Sequence, residues 1–264
     1  MISICKKIIS GLCFILIVSS LVQITSAQAL EMKNKINISQ SKSKTETSKK
    51  TTYNKVIDRD KETLNISLLP LLVSTTLQVP LELNNDESAV LYQNESGRTL
   101  NSGNIFNKQH HSIGIIDIEI VNNDEKAQLT STILENNILQ LNVKTKNVSN
   151  LINIQVKTSA TSFSTYFTKS EWIHRGGITS LSLSQKQDIT NLKNSDLNSA
   201  IKIDAWDKIK SIHETDIKWS NSGGMQDQFD CHFDFTKNKN AWNLEPSRPD
   251  VDYFSTVVAS CNPK

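Results

Sequence analysis

The sequence predicts a mainly β protein, a β-sandwich-like domain followed by a small α+β domain with one helix and one disulfide. Three observations predict this. Apolar and polar residues alternate through the middle of the 264-residue chain, the period of half-buried antiparallel strands. All four tryptophans lie after residue 171, with four of the eight glycines as two Gly-Gly pairs, a compositional shift that marks a second domain. One segment near residue 200 has apolar residues at helical spacing.

Composition excludes several classes. Lys plus Arg number 29 against 27 Asp plus Glu, a net charge of +2. Near-neutral charge argues against nucleic acid as a partner. Eight Gly and five Pro exclude a collagen-like fibre, and four Cys are too few for a disulfide-dense scaffold.

Residues 1–29 read as a signal peptide. Lys6 and Lys7 precede the apolar run Ile8 to Ile24, and Ala27-Gln28-Ala29 supplies small-residue cleavage sites after Ala27 or Ala29. Ser10, Gly11, Ser19, Ser20 and Gln23 make the run short and polar for a spanning helix. The expectation is a secreted, extracellular protein with no integral membrane segment after cleavage. Association with the cell wall is an open extension of it.

Residues 30–62 read as a disordered basic linker or pro-segment. Residues 31–62 hold eight Lys and one Arg against five acids. Few large apolar side chains are available there to offset the entropy of ordering.

Residues 63–164 read as the β-sandwich-like domain. Ile116, Ile118 and Ile120 alternate with Asp117 and Glu119. Leu139, Leu141 and Val143 do the same, as do Ile152, Ile154 and Val156. Pro70 and Pro80 belong at strand ends or edges. Asn- and Gly-rich clusters punctuate the strands, giving a sandwich of about six or seven. His110-His111, adjacent in sequence, would point to opposite faces of a strand and so cannot share a metal.

Residues 165–264 read as the α+β domain. Glu171 to Arg175, Gly176-Gly177 and Ile178 to Ser184 predict a β-hairpin with Leu181 and Leu183 inward. Leu197, Ile201, Ala205, Ile209 and Ile212 predict one helix over 196–215. Ser195 or Asp196 would cap it, and Lys208, Lys210 and His213 would complement its C-terminal dipole.

Gln228 to Phe235 alternates Phe229, Cys231, Phe233 and Phe235 with Gln228, Asp230, His232 and Asp234, and reads as a strand. Asp252 to Cys261 reads as a second. Loss of Cys5 and Cys13 with the signal leaves Cys231 and Cys261, an even pair in an oxidising compartment. A disulfide between them closes a loop of about 30 residues and stabilises by on the order of 3–4 kcal/mol.

Two readings stay open at each candidate site. On the polar strand face, His232 with Asp230 and Asp234 could perform acid–base chemistry, with Glu245 as a further carboxylate, or could be a solvated face. The loop Trp242 to Pro249 could present Trp242, Glu245 and Arg248 to a ligand, with His174 and Arg175 nearby, or Trp242 could plug the core. No cofactor and no metal is expected, since no metal-ligand spacing is present.

The motifs Gln228-Phe-Asp-Cys-His232, Trp242-Asn-Leu-Glu-Pro-Ser-Arg-Pro249 and Cys261-Asn-Pro263, together with Glu171-Trp172 and Gly177-Ile178, resemble a family of secreted bacterial proteins. That family is defined by a C-terminal domain of unknown function. The resemblance covers residues 165–264 and implies secretion and a bacterial, Gram-positive source. It implies no reaction, ligand or catalytic set.

The functional reading that follows is a non-catalytic envelope or extracellular binding protein, with tryptophans stacking on a cell-wall or surface glycan. A hydrolase using His232 with nearby carboxylates, and a secreted toxin or antimicrobial effector, are the alternatives. Whether the protein is an enzyme stays open.

Overall fold

The structure is a computed structural model and describes residues 51–264 apart from 71, 95, 122–126, 147–149 and 191–194. The expected signal peptide, residues 1–29, and residues 30–50 of the expected linker lie outside the described residues. Among the described residues, twelve strands form three antiparallel sheets: a six-stranded sheet ordered β1-β2-β9-β6-β5-β4, a three-stranded sheet β3-β8-β7, and a three-stranded sheet β10-β11-β12.

The first two sheets form the sandwich. β2 is Lys61–Leu68, β3 Ser74–Pro80, β4 Ser88–Gln93, β5 Thr99–Phe106 and β6 Ser112–Ile120. β7 is Gln128–Leu134, β8 Ile138–Lys144 and β9 Ile152–Ala160. The alternating residues do what their period demands: Ile116, Leu139, Leu141, Val143 and Ile154 are fully buried between the sheets. Pro80 ends β3 and Pro70 lies outside the strands, where neither removes a ladder hydrogen bond. Gly103 on β5 has a packing reason, because a Cβ there would lie 1.8 Å from the Val90 carbonyl of β4.

One boundary moves. The expected disordered linker reaches residue 62, yet Thr51–Asp58 form β1, paired along its whole length with β2. The segment is polar, but Thr51, Thr52, Tyr53, Val56 and Ile57 have high strand propensity, and an edge strand needs little core. Lys55 on that edge is the kind of charge that discourages strand addition.

In the second half, β10 (Phe167–Arg175) and β11 (Ile178–Gln185) form the expected hairpin. Gly176 and Gly177 turn it with φ of 58° and 82°, conformations that cost glycine nothing. Leu181 and Leu183 are fully buried, and β12 (Trp242–Leu244) pairs with β11 at both. Short helices α1 (Phe163–Tyr166) and α2 (Gln187–Thr190) flank the hairpin. The expected helix is α3, Ser195–His213. Ile201, Ala205, Trp206 and Ile209 enter the core, whereas Ile212 stands half exposed.

Helix α3 is shared property. Its other side lies against β5 and β6 of the sandwich. There Ser102 Oγ donates to the Asp196 carbonyl at 2.5 Å, Asn104 Nδ2 to the Ala200 carbonyl at 3.2 Å, and the Ser112 backbone N–H to Asp207 at 2.8 Å. Asp204, fully buried, accepts from Tyr166 Oη at 2.5 Å and from Ser112 Oγ, and lies 3.4 Å from Lys208 Nζ. A buried carboxylate this well satisfied locks a joint instead of destabilising it. Asp196, in the first turn of α3, binds Arg98 at 2.9 Å.

Two expected strands are helices. Ser222–Phe235 is α4 and Tyr253–Val258 is α5. In α4 the buried residues are Gly224, Met225, Gln228, Phe229, Cys231, His232 and Phe233. That is a period near 3.6, which fits the interior better than the two-residue alternation. Phe235, inward on the strand reading, is 64% exposed. Asn221, at φ 52°, caps α4 by accepting from the Gly224 N–H. Asp252 caps α5 by accepting from the Ser255 N–H at 2.9 Å. The mainly β character holds, but the second half carries more than the one helix expected.

Candidate functional site

The three motif segments converge on one side of α4. Gln228, fully buried, joins α4 to the Trp242–Pro249 loop: its Oε1 accepts from the Glu245 N–H at 2.9 Å, and its Nε2 donates to the Glu245 and Gly224 carbonyls at 3.2 and 3.0 Å. Glu245 pairs with Arg248 and accepts from Ser180 Oγ at 3.3 Å. Arg248 Nη1 donates to the Pro263 carbonyl at 3.0 Å and the Asn262 carbonyl at 3.4 Å. Cys231 bonds to Cys261 with a Cα separation of 5.5 Å. The expected disulfide is therefore present, joining α4 to the chain just after α5 where two strands were expected.

Trp242 is the core plug. It is fully buried, with ring centroids 5.7 Å from Phe229, 6.2 Å from Phe167 and 6.3 Å from Phe233. It is not presented to a ligand. Trp206 is buried too, and Trp172 and Trp219 are half-buried against the same core. The tryptophans pack inward, and sugar stacking loses the side chains that were to perform it.

His232 stacks on Trp242 at 6.2 Å and 13°. Its Nδ1 hydrogen-bonds Thr236 Oγ1 at 2.8 Å. Burial, reinforced by the Lys239 charge, pushes its pKa down to about 4, so the imidazole is neutral at neutral pH. Asp230 and Asp234 lie two residues away on either side. At about 100° per residue, two steps put a side chain roughly opposite on a helix. The helix therefore dismantles the expected His232–carboxylate set: the imidazole enters the core and the acids do not follow.

The acids form their own row. Asp227, Asp230 and Asp234 share one face of α4 at i, i+3 and i+7. Burial pushes Asp230 up to about 6, aided by Asp234 and Asp227 and opposed by Lys202. Asp234 accepts from Lys202 Nζ at 2.9 Å and from Tyr253 Oη at 2.6 Å, which ties α5 to α4. Burial, then Asp250 and Asp252, raise Asp227 as well.

The remaining candidates fall elsewhere. His174 and Arg175 are exposed at the hairpin tip, His174 Nδ1 lying 3.1 Å from Thr179 Oγ1. Nothing joins either to Glu245 or Arg248 among the described residues. His111 lies 3.6 Å from Asp207, and His110 sits in the turn at φ 60°. His213, expected as a cationic partner of the α3 dipole, is held by Ser170 Oγ at 2.9 Å from Nε2, with Trp172 edge-on at 6.2 Å. Burial lowers its pKa, which favours the neutral ring.

Two features escaped sequence reasoning. The Ser170–His213 pair spans 43 residues with no motif to announce it. The second is apolar: Phe254 and Val258, one turn apart on α5, are 74% and 69% exposed, alongside Phe235 at the end of α4. The i, i+4 spacing of Phe254 and Val258 was available once the segment was read as helix. Among the described residues, no three His, Cys, Asp or Glu side chains are grouped to hold a metal, and no helix is long and apolar enough to cross a membrane.

Residues 167–264 match the family described as "Protein of unknown function (DUF2599)". The match begins at β10 and includes every motif segment described above. Three similar curated proteins are the uncharacterized proteins Rv0477 and MT0495 of Mycobacterium tuberculosis and Mb0487 of Mycobacterium bovis. Each is 30% identical over 97 residues, 35% of this chain and 62% of the relative. The chain thus spans under two thirds of the length of the curated relatives it matches. No solved structure matches the chain.

Proposed function

We propose that this chain is a secreted, extracellular binding protein whose C-terminal domain engages a macromolecular partner through the face made by α4 and α5. One observation carries the reading. Gln228, His232, Trp242, Glu245 and Arg248, the groups a site would draw on, are spent inside the domain, whereas Phe235, Phe254 and Val258 face solvent. Exposed aromatic and aliphatic side chains on a disulfide-anchored element suit partner binding. The signal-like residues 1–29 and the disulfide support secretion.

Co-sedimentation of the full chain with isolated bacterial envelopes tests this. The wild type is expected to pellet and F254S/V258S to stay in the supernatant. Equal pelleting of the two, or none by the wild type, refutes the reading.

A hydrolase through His232 lacks a partnered carboxylate. The hydrolase alternative keeps one specific observation, the 2.9 Å Ser170–His213 pair with a neutral imidazole. A fluorophosphonate probe that leaves Ser170 unmodified removes it; covalent labelling lost in S170A and H213Q would favour it.

A further inference from the structure

We infer that the partner of the α4–α5 face is a cationic amphipathic polypeptide segment, an inference that rests on the binding reading above. The face pairs two kinds of surface. Phe254 and Val258 of α5 offer an apolar strip, and Phe235 stands one turn beyond the disulfide-bonded Cys231 of α4. The same two elements carry five carboxylates, Asp227, Asp230 and Asp234 on α4 and Asp250 and Asp252 leading into α5, and Tyr253 Oη, next to Phe254, donates to Asp234.

Among the described residues, the positive charges in reach neutralise this row only in part. Lys202 of α3 serves Asp234 at 2.9 Å and lies 5.9 Å from the Tyr253 ring. Lys237 is drawn away over the Phe233 ring at 4.7 Å, and Arg248 is committed to Glu245 and the C-terminal carbonyls. Lys202 acts on Asp230 ahead of Asp234 and Asp227, whereas Asp250 and Asp252 press on Asp227 with no cation opposing them among the described residues. A partner bringing ammonium or guanidinium groups relieves that repulsion while its apolar side covers Phe254 and Val258. An anionic lipid surface would meet the same carboxylates and be repelled, which selects a basic segment over a membrane.

The arrangement also sets a pH dependence. Asp230 is faced by Lys202 from α3, by Asp234 and Asp227 on its own helix, and by Tyr253 of α5. As pH falls through about 6 the row loses charge, and binding of a cationic segment weakens.

The test uses the full chain with two fluorescent 18-residue helical peptides of one apolar pattern, one Lys/Leu and one Glu/Leu, read by anisotropy at low salt. The Lys/Leu peptide is expected to bind at least tenfold tighter than the Glu/Leu peptide. That preference should shrink about tenfold in D227N/D230N/D234N and in 0.5 M salt, and by a smaller factor at pH 5, where Asp230 loses its charge. F254S/V258S should abolish binding of either peptide. If both peptides bind alike and only F254S/V258S matters, the face is an interface but the cationic partner is overturned. If neither binds and the wild type is a dimer that F254S/V258S dissolves, a second copy covers the face and the inference is equally overturned. Failure of the envelope experiment above is separate and removes the face itself. Salt and pH titrations of the wild type keep the answer independent of whether any variant folds.

Discussion

Removing the Cys231–Cys261 bridge isolates what anchors the C-terminal segment. The bond closes a span of 30 residues running from α4 through β12 to the end of α5. By loop-closure entropy a span of this size corresponds to about 12 cal/mol/K, or about 3.6 kcal/mol at 25 °C. A folded body on the order of 200 residues unfolds with an entropy near 0.4 kcal/mol/K, so the double variant C231S/C261S should melt about 8 °C lower. The reduced wild type should fall by the same amount, since both changes open the same loop. The loss should also be local, because Arg248 grips the Asn262 and Pro263 carbonyls. Amides after residue 249 should exchange faster than those of the sandwich. Calorimetry with and without reductant, thiol titration and hydrogen exchange provide the readouts. Two free thiols in the native protein, or a melting temperature unchanged by reduction, would refute the reasoning.

Three further outcomes follow from buried groups. His232 titrates near 4 folded against about 6.5 unfolded, so the unfolded chain takes up a proton first as pH falls. Its contribution is fully present above pH 6.5 and about 3 kcal/mol of it is lost by pH 4. Asp230 runs the other way: held near 6 folded against 3.8 unfolded, it adds stability as pH falls from 6 to 4. D230N should therefore stabilise at pH 7.5 and melt with a steeper acid decline than wild type; a parallel decline in pH-resolved thermal melts contradicts the assignment. Trp242→Ala empties the centre of four ring contacts and should cost about 3–5 kcal/mol in urea unfolding. A cost below about 1 kcal/mol would show that Trp242 is not the plug.

The sandwich strands were legible because one face of each is buried. Ile116–Ile118, Leu139–Val143 and Ile152–Val156 carry that asymmetry in their order along the chain. The Gly176-Gly177 hairpin was legible for an equally local reason, a turn whose φ values glycine supplies. The disulfide followed from pairing Cys231 with Cys261, the two cysteines outside the expected signal peptide. The α4 segment misled for a physical reason. Phe229 and Phe233, four residues apart, satisfy both a two-residue and a 3.6-residue period, and Gly223-Gly224 at its start argues against a helix. The deciding partners, Glu245 on Gln228 and Trp242 on His232, are remote in sequence.

The sequence by itself determined the β-rich plan, the hairpin, helix α3 and the two cysteines that bond, because each rests on short-range periodicity, turn chemistry or simple pairing. Tertiary structure decided where function can reside. It turned His232 and Trp242 inward, joined Glu245 to Arg248 as a brace, and left Phe254, Val258 and the aspartate row at the surface. Which face of a helix is buried depends on what packs against it, and that information comes from residues far along the chain.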